Sequence, residues 1–130
     1  MLVDTSALIN YLKGRNTRGA TLLQEAMDRG AAWGITEAVY QEVLQGAADE
    51  DEWTTLAAYL STQRFYQAPA GLEPHHRAAR LYFDARRAGK QVRSTLDCLI
   101  AVIAMEHGVP LCHDDRDFER LAEVSDLELA

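Results

Sequence analysis

The residues of this chain best placed to do chemistry are acids that stand just beyond short apolar runs. Asp4 follows Leu2 and Val3 and precedes a helical pattern at Ala7, Leu8, Ile9, Tyr11 and Leu12. This reads as a short buried strand whose C-terminal end carries a carboxylate, followed by a helix. In an open parallel sheet, ligands bind outside the carboxyl ends of the strands, so Asp4 would stand at the mouth of a site. An aspartate there also serves as a helix cap. Glu42 lies mid-helix, one turn before Gly46, where a solvated glutamate is the plainer explanation. Asp97 falls three residues after Ser94, the spacing of a capping box. Its helix is apolar nearly all round (Leu96, Leu99, Ile100, Val102, Ile103), and a carboxylate buried in such a helix is costly unless cations or donors meet it. The segment His113–Phe118 offers three more acids, Asp114, Asp115 and Asp117, which compete for one role; as a turn with a cap it would be unremarkable.

Strand ends and helix starts share one edge of a parallel sheet. Carboxylates gathered there repel one another and raise one another's pKa values. Divalent cations neutralise such a cluster most naturally. Hard cations take oxygen ligands, and Mg²⁺ uses few carboxylates while keeping several waters.

The elements that must position these acids alternate along the chain. Strand patterns fall at Leu2–Val3, Ala31–Ile35, Arg64–Ala68 and Val109–Cys112, with a fifth at Leu127–Leu129. Helical patterns cover Gly19–Asp28, Ala38–Gln45 behind a Thr36 cap, Trp53–Thr62, Glu73–Ala88, Thr95–His107 and Phe118–Ala122, and Lys13–Arg18 reads as a loop. The acidic run Ala48–Glu52 complements a helix dipole and needs no chemistry. The expected fold is α/β, with a mainly parallel central sheet and helices on both faces.

At 130 residues the chain suits a single domain, residues 1–130, able to bury ~65–70% of its unfolded surface. No apolar run approaches the ~20 residues of a membrane span, and the N-terminus lacks a signal-peptide pattern, so a cytoplasmic protein is expected. Cys98 and Cys112 sit in apolar patterns and read as buried thiols. A net charge of −7 argues against a nucleic-acid partner, but the cations are bunched: Lys13, Arg15 and Arg18 after the first helix, and Arg86, Arg87, Lys90 and Arg93 before the Asp97 helix. Such clusters contact phosphates, or simply solvate helix ends.

Four stretches together resemble one family. V-D-T-S-A-L-I, I-T-x-x-V-x-x-E-V-L-Q-G around Glu42, S-T-L-D-C-L-I-A and D-R-D-F occur in the order and spacing of PIN-domain ribonucleases, most closely the VapC-type toxins of toxin–antitoxin pairs. The similarity covers essentially the whole chain. It implies a three-layer α/β/α sandwich of four to five strands and an acidic quartet of Asp4, Glu42, Asp97 and Asp115. Asp117 would be an accessory acid, with Ser6 and Thr36 as supporting polar residues. It also implies hydrolysis of RNA phosphodiesters, in tRNA or rRNA loops, by metal-activated water. One or two Mg²⁺ (or Mn²⁺) ions, ~3.5–4 Å apart if two, would be held by Asp4, Asp97, Asp115 and Glu42. Lys13, Arg15, Arg86, Arg87, Lys90 and Arg93 would contact RNA. A homodimer and a VapB-type antitoxin are implied as partners.

No histidine reads as the base: His75 and His76 face different sides of a helix, His107 ends one, and His113 suits a structural role. A haloacid-dehalogenase-like phosphatase would need D-x-D at the first strand, where Ser6 stands instead, and a receiver domain would need a lysine after its last main strand. The remaining alternative is a catalytically silent PIN fold that binds an antitoxin or partner protein.

Overall fold

A computed structural model describes residues 1–130. Four strands form one parallel sheet: β1 (Leu2–Val3), β2 (Gly34–Ile35), β3 (Arg64–Phe65) and β4 (Leu111–Cys112). Their order is β3-β2-β1-β4. The chain runs outward from β1 through β2 to β3, then returns to place β4 on the other side of β1. The order therefore reverses between β1 and β4, and a crevice opens beyond the carboxyl ends of that pair. Asp4 leaves β1 at this point and His113–Asp117 leave β4. The fifth strand is reduced to one parallel bridge, Leu111 with Leu129.

Seven helices cover the sheet: α1 (Thr5–Leu12), α2 (Arg18–Asp28), α3 (Glu37–Gln45), α4 (Glu50–Leu60), α5 (Glu73–Arg87), α6 (Thr95–His107) and α7 (Arg116–Glu123). α1 packs on α2 and α3, and α3 on α4; α5, α6 and α7 form a second mutually packed group. Leu2, Val3, Ile35, Leu111 and Cys112 are fully buried between them. No helix is long and apolar enough to cross a membrane.

The α/β class and parallel sheet match the sequence reading; several boundaries do not. Arg18 opens α2 instead of closing a loop, because Thr17 supplies the cap by accepting from the Ala20 N–H. α4 starts three residues early, at Glu50, where the Asp49 side chain caps it. α7 likewise begins at Arg116, capped by Asp115. Polar caps fix these starts before the apolar periodicity becomes visible.

Gly34 shows how tightly the sheet is closed. A Cβ there would lie 2.6 Å from the Arg64 carbonyl oxygen and 2.9 Å from the Tyr66 ring. Backbone cannot yield as a flexible side chain can, so Gly34→Ala is expected to cost about 2–3 kcal/mol. Urea denaturation would read this as a lowered midpoint; an unchanged midpoint would mean that the β2–β3 pairing gives way freely.

Candidate active site

Asp4 caps α1 with one oxygen and leaves the other unbonded. Its Oδ2 accepts from the Ser6 backbone N–H (2.9 Å) and hydroxyl (2.6 Å), capping α1. Its Oδ1 is buried and has no hydrogen-bond partner. Burial drives the Asp4 pKa upward, against the pull of the Ser6 bonds, and the Asp115 charge adds to the rise.

Glu42 is no freely solvated helix residue. Packing of α1 on α3 brings the Thr5 hydroxyl within 2.9 Å of Glu42 Oε1, to which it donates. Burial raises the Glu42 pKa, the Thr5 bond opposes that, and Asp4 adds to it.

Asp97 has the most perturbed carboxylate. Ser94 opens α6 without a side-chain capping bond, so the capping-box reading fails. The Asp97 side chain instead joins the other acids, and the residue is only 8% exposed. Burial first, and then the charges of Asp4, Asp115, Asp117 and Glu42, push its pKa up to about 7. A helix N-terminus favours a negative charge nearby, but this is too small to offset that crowding.

The three competing acids after β4 take three different places. Asp114 turns to α2 and α1, accepting from the Gly19 N–H (2.7 Å), the Asn10 amide (2.9 Å) and the Thr17 hydroxyl. Burial presses its pKa upward, yet these donors and His113 outweigh it and leave the carboxyl below its ordinary value. Both of its oxygens are thus satisfied away from the other acids. Asp115 and Asp117 join Asp97: one carboxylate oxygen from each lies within 4.8 Å of the other two. Asp115 Oδ1 caps α7 by accepting from the Asp117 N–H (3.0 Å). Asp117, 1% exposed, accepts from Arg120 Nη1 (2.6 Å) and from the Arg93 backbone N–H (3.0 Å). Asp117 is therefore held in place by donors on both oxygens, which leaves Asp97, Asp115 and the orphaned Asp4 oxygen freer to take a ligand.

The supporting residues divide similarly. Ser6 donates to Asp4 while its oxygen accepts from the Asp114 N–H (3.0 Å), joining the ends of β1 and β4. Thr36 makes no hydrogen bond to the acids; its hydroxyl oxygen accepts from the Val39 N–H and starts the helix that carries Glu42. His113 is buried and structural: Nδ1 accepts from the Asp115 N–H (3.1 Å) and the ring packs on Phe118. Cys98 and Cys112 are buried thiols whose pKa values burial pushes up to about 11 and about 12, which leaves them unreactive.

Only Arg93 of the six expected RNA-contacting cations reaches the acids, 3.6 Å from both Asp115 and Asp117. Arg86 and Arg87 lie over the Phe83 ring, Lys90 pairs with Glu123, Arg15 donates to Asn10, and exposed Lys13 lies away from the cleft. Sequence reasoning missed Thr5 and Arg120. The i, i+3 spacing of Asp117 and Arg120 on α7 was an available signal for the latter; nothing local marked Thr5.

An all-oxygen donor set, a buried carboxylate oxygen without a donor and a crowded aspartate that ionises only near neutrality fit a hard divalent cation. The PIN domain family profile matches residues 1–124. The chain belongs to the PIN-domain family. Ribonuclease VapC11 of Mycobacterium tuberculosis is 34% identical over 131 residues, spanning 100% of this chain and 97% of that protein. Ribonuclease VapC51 of the same species is 31% identical over 128 residues, 95% of this chain and 86% of that one. Among solved structures, VapBC2 of Rickettsia felis, bound to a DNA fragment from its promoter, superposes with a TM-score of 0.75 at 16% identity, covering 99% of this chain and 96% of the other. That last likeness is one of fold alone. Within this PIN domain the acids stand at the β1/β4 crevice that the strand order creates.

Proposed function

We propose that this PIN domain is a divalent-metal-dependent endoribonuclease and the toxin of a toxin–antitoxin pair. The observation that carries the reading is the meeting of Asp97, Asp115 and Asp117 oxygens within 4.8 Å at the mouth of the parallel sheet. Full-length similarity to proteins named as VapC ribonucleases supports the toxin role.

Asp4, Asp97 and Asp115 would hold Mg²⁺ or Mn²⁺, with Glu42 binding directly or through water. When bound, such an ion would neutralise charge developing on the phosphate and would lower the pKa of an attacking water. The remaining work belongs to the chain. Ser6 immobilises one Asp4 oxygen and leaves the other for the ligand. Thr5 aims Glu42, and Arg120 with the Arg93 N–H fixes Asp117 beneath Asp115. The substrate is structured RNA, cut in single-stranded loops such as those of tRNA or rRNA, where unstacked bases are accessible. The partners are a VapB-type antitoxin and a second copy of the chain, and the site of action is the cytoplasm. The solved neighbours from R. felis and Haemophilus influenzae are VapBC complexes, which supports the antitoxin assignment.

Cleavage of a tRNA and rRNA mixture in Mg²⁺, against the same mixture in EDTA and with Asp4→Asn, tests the reading. Cleavage confined to wild type with Mg²⁺ is the expected result. Products that persist in EDTA or with Asp4→Asn would refute metal-dependent hydrolysis at this cluster, whereas no products from wild type in Mg²⁺ would favour a silent, partner-binding fold.

A further inference from the structure

We propose that the polar cleft beside the aspartates is a phosphate subsite in which Arg93 grips the RNA backbone, having served as an internal counter-ion of the acids while no divalent cation is bound. This deepens the ribonuclease reading and rests on it. The cleft encloses about 550 Å³ and has no hydrophobic lining; three arginines, Arg93, Arg116 and Arg120, line it together with Asp114 and Asp115.

The three arginines are committed differently. Arg120 is bonded to Asp117 at 2.6 Å. Arg116 is exposed and forms no salt bridge. Arg93 is anchored at its root, where its backbone N–H donates to Asp117 Oδ2 at 3.0 Å. Its tip is loose: the guanidinium sits 3.6 Å from Asp115 Oδ1 and from Asp117 Oδ2, and the side chain is 75% exposed. Those distances lie beyond hydrogen-bond range, and exposed ion pairs hold weakly.

A divalent cation on Asp97 and Asp115 weakens the hold of Asp115 on the tip and leaves Asp117 as its remaining partner. The loosened fork then faces the cleft, where its geometry matches phosphate oxygens. A polyanion approaching a cluster of carboxylates needs cations on the adjoining wall, and Arg93 and Arg116 are the two there with capacity to spare.

Two affinities of opposite sign test the proposal on the full chain. Mn²⁺ binding without RNA is measured by calorimetry, and binding of a fluorescent single-stranded RNA in Ca²⁺ by anisotropy. Arg93→Gln removes a competing cation and is expected to bind Mn²⁺ about threefold more tightly. The same variant is expected to bind RNA about tenfold more weakly, with the slope of log K against log salt reduced by about 0.7, one single-strand phosphate contact. Arg93→Lys keeps the charge and is expected to recover most of the RNA affinity. Arg116→Gln is expected to weaken RNA binding with Mn²⁺ affinity unchanged, and serves also if Arg93→Gln folds poorly. A purely structural Arg93 would weaken both affinities together, and that result overturns the proposal. Wild-type RNA affinity in Arg93→Gln, with wild type binding both ion and RNA, overturns the subsite alone and leaves the nuclease reading standing. Wild type that binds neither ion nor RNA overturns both.

Discussion

Asp97→Asn is expected to lower RNA cleavage on the order of a thousandfold while making the metal-free protein more stable. The two effects part company because one charge causes both. Asp97 stands 8% exposed among Asp4, Asp115, Asp117 and Glu42, and its pKa is pushed up to about 7 by burial and by those neighbours. Its ordinary value is 3.8. The folded protein therefore binds this proton more tightly than the unfolded chain does. The stability from that excess is whole below about pH 4 and is lost as pH rises through about 7. At pH 7.5 wild type carries the full cost of the buried charge, whereas an isosteric Asn carries none. The gain is on the order of a few kcal/mol at most, a rise in Tm of up to roughly 10 °C. The gap between the two proteins narrows as the pH falls from 7 toward 4. Thermal unfolding across that range, beside a cleavage assay, checks both halves. A variant that lost activity and stability together would mean that Asp97 serves the fold and not the site.

The second large effect concerns the ion itself. Burial raises Asp4 and Glu42 as well as Asp97, so all three act in the same direction, and the metal-free Tm is expected to fall as pH rises from about 4 to about 7. Saturating Mg²⁺ or Mn²⁺ neutralises the cluster and reverses the fall. An ion at a hundred times its Kd stabilises by about 2.7 kcal/mol, roughly 10 °C for a domain of this size. The same addition at pH 5 is expected to do much less, because protons hold the ligand oxygens and binding must displace them. A Tm indifferent to the ion at pH 7.5 would contradict the assignment of these carboxylates as ligands.

Much of this arrangement was legible because its signals are local. An aspartate directly after an apolar pair marks a strand end, and a buried-type helix with an acid in its first turn marks an anomaly. Asp4 and Asp97 carried those marks, and the alternation of elements implied a shared edge. What was not legible depends on groups far apart in the chain. Thr5 meets Glu42 across 37 residues, and Arg93 meets Asp117 across 24. Asp114, Asp115 and Asp117 are equivalent to any local rule; only the docking of α2 removes Asp114, through Gly19, 95 residues away. Ser94 and Asp97 satisfied a capping-box pattern that tertiary contacts override. The bunched cations make contacts that composition does not foretell: Arg86 and Arg87 lie over the Phe83 ring, and Lys90 pairs with Glu123.

The most direct test is a crystal of this protein soaked in Mn²⁺ at pH 7.5 and examined by anomalous scattering. A manganese peak within bonding distance of Asp97 and Asp115 oxygens, with Asp4 Oδ1 facing it, is the expected result. Manganese bound only elsewhere, with Asp115 and Asp117 still facing Arg93, would contradict the claim that these acids exist to hold a catalytic cation.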